Sequence, residues 1–166
     1  MSIGENERTT QNRVVNFFKD RNILDYEYLG NLKDVANKNI RKDRLRAYLR
    51  LSGYSKKLAD GAITQLVKAA DDMTHGLYDA NQKVYTLLKY GAKVKETPEE
   101  APKTVYFMDI KTPTNNDFAI AEEVTVVDRQ EKRPDLVIYV NGIALAVIEL
   151  KKSSVSVSNG IRQNHL

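Results

Sequence analysis

Apolar positions recur along this chain first at helical and then at strand spacing. Thr9 and Thr10 are candidate N-caps ahead of Val14, Phe17 and Phe18, whose i, i+3, i+4 spacing predicts a helix over about residues 10–20. Tyr26-Glu27-Tyr28-Leu29-Gly30 is compatible with a short strand. Three helical stripes follow between about residues 35 and 90: Leu45, Tyr48 and Leu49, ending at Gly53; Ala59, Ala62, Ile63, Leu66, Val67 and Ala70; and Leu77, Asn81, Val84, Tyr85 and Leu88, ending at Gly91. Tyr48, Tyr54, Tyr78, Tyr85 and Tyr90 recur here and read as packing at helix rims in preference to base stacking. Between Lys93 and Lys103 apolar residues nearly vanish and Pro98 and Pro102 appear, which marks an exposed loop joining two regions. Strand character follows: Thr104–Met108 is β-branched and aromatic, and Phe118, Ile120, Val124 and Val126 alternate with smaller or polar neighbours. Leu136–Val140 and Ile143–Leu150 are nearly unbroken apolar runs and read as central strands covered on both faces. The elements predict an α/β chain.

At 166 residues, 42% hydrophobic and 29% charged, the chain is about one domain long and can bury a core, which excludes wholesale disorder and collagen-like sequence. No run approaches the ~18 apolar residues of a membrane span, and Met1–Asp20 is too polar for a signal peptide, so the expectation is a cytoplasmic protein without membrane contact. The absence of cysteine excludes disulfides, thiolate metal sites and cysteine nucleophiles, and two histidines, His75 and His165, do not build a zinc site. Chemistry must rest on carboxylates, lysines and hydroxyls. The net charge of +4 is uneven: residues 1–90 hold 16 Lys+Arg against 11 Asp+Glu, and residues 91–166 hold 10 against 11. Lys38, Arg41, Lys42, Arg44, Arg46, Arg50, Lys56 and Lys57 stand against Asp43 alone. Such a stretch attracts phosphate backbones by counterion release, with Lys38, Arg41, Lys42 and Arg44 as candidate DNA contacts, and it equally describes a solvated helix face.

The sharpest chemistry lies in the two apolar runs. Arg133-Pro134-Asp135 opens the first, Asn141-Gly142 turns the chain, and the second ends in Glu149-Leu150-Lys151. On a strand, residues i and i+2 share a face, so Glu149 and Lys151 project together. Charges buried at the end of an apolar strand cost several kcal/mol unless they are paired or bound to metal. Register decides whether Asp135 joins them. A strict two-residue Asn-Gly turn pairs Val140 with Ile143 and puts Asp135 and Glu149 on opposite faces. A three-residue loop with left-handed Gly142 in a bulge pairs Tyr139 with Ile143 and brings Asp135 diagonal to Glu149. A shared cation therefore demands this bulged turn or an equivalent local twist. Asp135, Glu149 and the Leu150 carbonyl would then suit Mg²⁺, and Lys151 would orient the attacking water or steady charge on a phosphate during phosphodiester hydrolysis. The plain alternative is an exposed ion-pair cluster at a sheet end.

The segment Arg133–Ser153 resembles the Pro-Asp…Glu-x-Lys nuclease motif as it occurs near the N-terminus of the restriction (motor) subunit of type I restriction-modification enzymes. The resemblance extends to Thr10–Val15, Tyr28–Asn31, Val84–Gly91, Asn116–Val124 and Gly160–Gln163, and so covers most of the chain. It implies a restriction-endonuclease-like α/β fold in which a mixed sheet is flanked by helices, as a single domain over residues 1–166. A helical insertion would occupy about 35–90 and core strands about 104–152. It implies Asp135 and Glu149 as metal-binding acids, Lys151 as the catalytic lysine, and Gln163 as the glutamine of a DNA-engaging Gln-x-x-x-Tyr motif whose last position lies past Leu166. Glu7 is a candidate extra acid, with a surface role the simpler reading. Asn116, Asp117, Glu122 and Glu123 match the family phrase without an assigned role, which leaves loop capping and surface charge.

The resemblance further implies Mg²⁺-dependent cleavage of double-stranded DNA, with specificity and modification (methyltransferase) subunits as partners. No phosphate-binding Gly-x-x-x-x-Gly-Lys-Ser/Thr loop occurs, so ATP and DNA translocation would belong to a further part of a longer chain of which this is an N-terminal fragment. Competing readings are a non-catalytic DNA-binding or subunit-docking module, and a structure-specific resolvase sharing the motif.

Overall fold

The computed structural model describes residues 7–35, 39–127 and 131–150. Its helices and strands fall into two compact units. Of the described residues, the first unit takes in those before residue 40, those from 118 to 139 and those from 144 to 150; the second comprises 40–117 together with the short turn segment 140–143.

In the first unit, helix α1 (Glu7–Lys19) precedes strand β1 (Glu27–Asn31). Strand β4 (Phe118–Glu122) follows later in the chain, and β7 (Leu136–Val140) and β8 (Ile143–Ile148) close a four-stranded sheet in the order β1-β4-β7-β8. The sheet is mixed: β1 pairs parallel with β4, and β7 and β8, joined by two residues, run antiparallel. The register of β1 against β4 shifts between Tyr28 and Asn31, where Gly30 takes a φ of +87° that glycine adopts without strain.

Period-two alternation sorts this unit's side chains into two clusters. Ile120 and Leu136 meet Val15 of α1, whereas Ala119, Ala121, Val137 and Tyr139 meet Leu32 and Val124 on the other side. The helix buries Gln11 and Val15 and packs Val14 and Phe18 on the sheet, while Phe17 is exposed and makes a T-shaped ring contact with Phe18. The helix lies where the spacing predicts it, but Phe17 faces outward, because an i, i+3, i+4 triplet leaves a helix's exact rotation open.

The second unit holds α2 (Lys42–Leu51), α3 (Lys56–Asp71) and α4 (Leu77–Tyr90), the three helices that the stripes predict. Leu45, Leu49, Ala59, Ala62, Ile63 and Leu66 supply most of its helical core. Two short antiparallel strands, β2 (Ala92–Val94) and β3 (Lys103–Val105), form a separate hairpin, so the polar segment expected to join two regions instead connects two strands of one unit. A further two-residue pair, β5 (Val126–Val127) with β6 (Glu131–Lys132), completes the strands. Ser55 caps α3 by accepting the Leu58 N–H at 3.2 Å. Ser55→Ala is therefore expected to cost about 1 kcal/mol, read as a fall of about 2–4 °C in a thermal melt.

One strand differs from its reading. Among the described residues β8 lies at the sheet's edge, and Leu145 and Val147 are exposed to 44% and 58%. A continuous apolar run does not by itself separate a central strand from an edge strand.

Candidate active site

Asp135 stands one residue before β7, after the buried Pro134, and is itself half-buried. Three hydrogen bonds hold it. Its carbonyl accepts the Glu123 N–H at 3.0 Å and the Gln11 Nε2 at 3.3 Å, and its carboxylate Oδ2 accepts the Leu150 N–H at 2.6 Å. The last contact ties Asp135 to the peptide between Glu149 and Leu150, just beyond the end of β8. Glu149 is exposed.

The turn is the two-residue one and not the bulged loop: Asn141 and Gly142 both have positive φ, 51° and 81°, with β7 ending at Val140 and β8 starting at Ile143. Its geometry is dictated by Asn141, which is fully buried. Asn141 Oδ1 accepts the Asp117 N–H at 2.7 Å, its Nδ2 donates to the Phe107 carbonyl at 2.9 Å and to Asn116 Oδ1 at 2.8 Å, and its own N–H donates to the Asp117 carbonyl at 2.7 Å. These bonds hold Asn141 in the left-handed conformation that the two-residue turn requires.

The register changes farther along. Tyr139 and Ala144 pack in the same cluster, as the two-residue turn requires, yet Ile148 and Leu150 pack with Leu136 in the opposite cluster. Four residues apart on a regular strand, Ala144 and Ile148 would share a face. The strand therefore switches faces between them, and it ends at Ile148.

Beside Asp135 lies a group whose members are expected from the sequence only as loop caps and surface charge. Glu122, the last residue of β4, is 3% exposed. Its Oε1 accepts the Tyr28 hydroxyl at 2.8 Å, and its Oε2 meets Arg8 Nη1 at 2.8 Å and Gln11 Nε2 at 3.2 Å. Burial pushes the Tyr28 hydroxyl's pKa up, and the bond to Glu122 adds to the rise. Glu123, which follows, has a φ of +52°, unusual for a residue with a side chain, and this conformation accompanies the bond from its N–H to Asp135. The missed signal was an acid ending the apolar strand Phe118–Ala121, the same feature that singles out Glu149.

The remaining candidates divide. Asn116 caps the loop before β4, donating to the carbonyls of Asp109 and Pro113 at 2.8 Å each. Asp117 receives Arg44 through its Nε, at 2.9 Å, and its Nη2. In the same stretch Arg46 pairs with Asp60 at 2.7 Å and with Asp43 at 3.1 Å, Lys56 pairs with Asp60 at 2.8 Å, and Arg50 donates to the Tyr54 carbonyl at 2.8 Å. Arg41 donates its backbone N–H to Gly142, and Lys42 is exposed at the start of α2. Several cations of the basic stretch thus serve intramolecular pairs, which sequence charge counts do not register. Lys38, Lys151, Gln163 and the side chain of Glu7 lie outside the described residues. No group of three or more His, Cys, Asp or Glu side chains converges as a metal site among the described residues, and no helix there is long and apolar enough to cross a membrane.

Four helices and a mixed four-stranded sheet make this an α/β protein of the restriction-endonuclease-like fold. The profile of the family described as type I restriction enzyme R protein N terminus matches residues 4–166, and the chain belongs to that family. Among curated relatives, the type I restriction enzyme HindI endonuclease subunit of Haemophilus influenzae is 32% identical over 100 residues, 57% of this chain and 10% of the relative. The putative type I restriction enzyme MjaIXP endonuclease subunit of Methanocaldococcus jannaschii is 34% identical over 73 residues, 40% of this chain and 7% of the relative. An endonuclease subunit of Staphylococcus aureus is 29% identical over 65 residues, 39% of this chain. The matches therefore span a tenth or less of these relatives' lengths.

Proposed function

We propose that this chain cleaves double-stranded DNA endonucleolytically in the presence of Mg²⁺, as the nuclease part of a type I restriction subunit. The observation that supports this reading is the hydrogen bond from the Leu150 N–H to the Asp135 carboxylate, which joins the Pro-Asp segment to the Glu-x-Lys segment at the level of single residues. Asp135 and Glu149 offer hard carboxylate oxygens and Leu150 a carbonyl. Such a set fits Mg²⁺, which accepts one or two carboxylates and completes its octahedron with waters and phosphate oxygens. When bound, the ion would supply Lewis-acid polarisation of the phosphate and a more acidic water.

The protein's own contribution is positional. The Leu150 N–H fixes one oxygen of Asp135, and the Glu123 and Gln11 donors fix its carbonyl. Lys151 donates to the attacking water or to the phosphate as negative charge develops there. Gln163, Lys38, Arg41 and Lys42 follow the DNA backbone, and Arg44 braces Asp117. Target recognition falls to specificity and modification subunits, ATP-driven translocation to other parts of a longer polypeptide, and the setting is the cytoplasm.

A supercoiled plasmid assay with the full-length subunit and its partners tests the reading. Nicked and linear products are expected with Mg²⁺ and none with EDTA. Intact plasmid in Mg²⁺, from protein that still binds DNA, overturns the proposal in favour of a binding or docking module. Cleavage confined to branched DNA overturns it in favour of a resolvase.

A further inference from the structure

Glu122 poses an energetic question. A carboxylate that is 3% exposed at the end of an apolar strand has lost most of its hydration, and replacing such a buried, paired charge by an apolar side chain is often neutral or stabilising for folding. Stability therefore gives no reason to keep it. Its surroundings supply another. Arg8 and Tyr28 hold the two oxygens of Glu122 from α1 and β1, at 2.8 Å each. Gln11, itself only 4% exposed, shares its Nε2 between Glu122 Oε2 and the carbonyl of Asp135, at 3.2 and 3.3 Å. A glutamine amide has one acceptor and two donors on a freely turning end, and the carboxylate beside it dictates which way the donors point. Because Glu122 Oε2 and the Asp135 carbonyl both accept, the Nε2 side faces them.

We infer that Gln11 and Glu122 are positioning residues that hold Asp135 in its metal-binding place, Glu122 by orienting the Gln11 amide and Gln11 by clamping the Asp135 carbonyl opposite the Leu150 N–H. This rests on the reading of Asp135 as a metal ligand. The left-handed Glu123 belongs to the same device, since it turns the end of β4 so that one residue's carboxylate enters the cluster while the next residue's N–H reaches Asp135. Groups that orient a ligand from behind typically change metal affinity by about 10–100-fold when removed.

The test measures Mn²⁺ binding to the full-length protein, without nucleotide, by the loss of the free-ion electron paramagnetic resonance signal, alongside a thermal melt. Asp135→Asn identifies which Mn²⁺ site is at issue. Gln11→Met, which keeps the side chain's length, is expected to weaken that site about tenfold. Glu122→Gln is expected to weaken it by a smaller factor, and Tyr28→Phe, a change that leaves the ring in place, least of all. A purely structural role predicts a lowered melting temperature with Mn²⁺ affinity unchanged, and that result overturns the inference; Glu122→Gln, which keeps the side chain's shape, carries the comparison if Gln11→Met does not fold. Should the parent and Asp135→Asn bind Mn²⁺ alike, the metal-ligand reading of Asp135 itself falls, an outcome distinct from variants that match a parent with a clear Asp135-dependent site.

Discussion

Asp135→Asn is expected to lower the DNA cleavage rate by about a thousandfold, on the order of 4 kcal/mol of transition-state stabilisation, while DNA affinity stays within a factor of about two. The substitution is chosen because it separates charge from architecture. The asparagine side-chain oxygen can still accept the Leu150 N–H that Oδ2 accepts at 2.6 Å, so the junction between Asp135 and the end of β8 survives. What disappears is the negative charge that a hard cation requires. Asp135→Ala removes both, and its cleavage should be no faster than that of Asp135→Asn. Rates measured on supercoiled plasmid, with filter binding for affinity and a thermal melt for integrity, provide the check. A cleavage rate within tenfold of the parent would remove Asp135 from the machinery.

The second large effect concerns the turn. Gly142 has a φ of +81°, and a Cβ there would lie 2.8 Å from the Arg41 carbonyl oxygen, 2.8 Å from Arg44 Cβ and 3.0 Å from the Leu45 nitrogen. Two of those three atoms are backbone and cannot swing aside. Gly142→Ala thus combines left-handed strain with overpacking, for an expected loss of about 3 kcal/mol or more and a fall of about 6–12 °C in melting temperature. Asn141→Ala should approach the same loss by another route, since it leaves the buried Phe107 carbonyl and the Asp117 N–H without the partners they have at 2.9 and 2.7 Å. Thermal melts of the two variants decide it. A shift under about 2 °C in Gly142→Ala would mean that the backbone of residues 41–45 moves aside readily.

Both effects centre on residues that the sequence brought forward, but for different reasons than those that decide them. Asn141-Gly142 between apolar runs signals a hairpin, and the hairpin is there. The proposed bulge is not, because the side chain of Asn141 is bound by Asp117, Phe107 and Asn116, from 24 to 34 residues earlier in the chain. The departure from regular register occurs instead within β8, where Ala144 and Ile148 pack in opposite clusters. Charge singles out Arg44 as a candidate for phosphate, and only the fold shows that it also pairs with Asp117.

Local pattern determined the element types, the three consecutive helices and the α/β class, since the 3.6- and 2-residue periods of buried side chains are written directly into the order of residues. It also singled out Asp135 and Glu149, as charges placed where apolar strands begin and end. Tertiary structure alone decided that Glu122 is buried, that Gln11 spans it and Asp135, and that β8 lies at an edge among the described residues. Gln11 is 111 residues from Glu122 and 124 from Asp135. Whether such distant polar groups meet depends on how helices and strands stack, and periodicity along one segment carries no information about which other segment covers it.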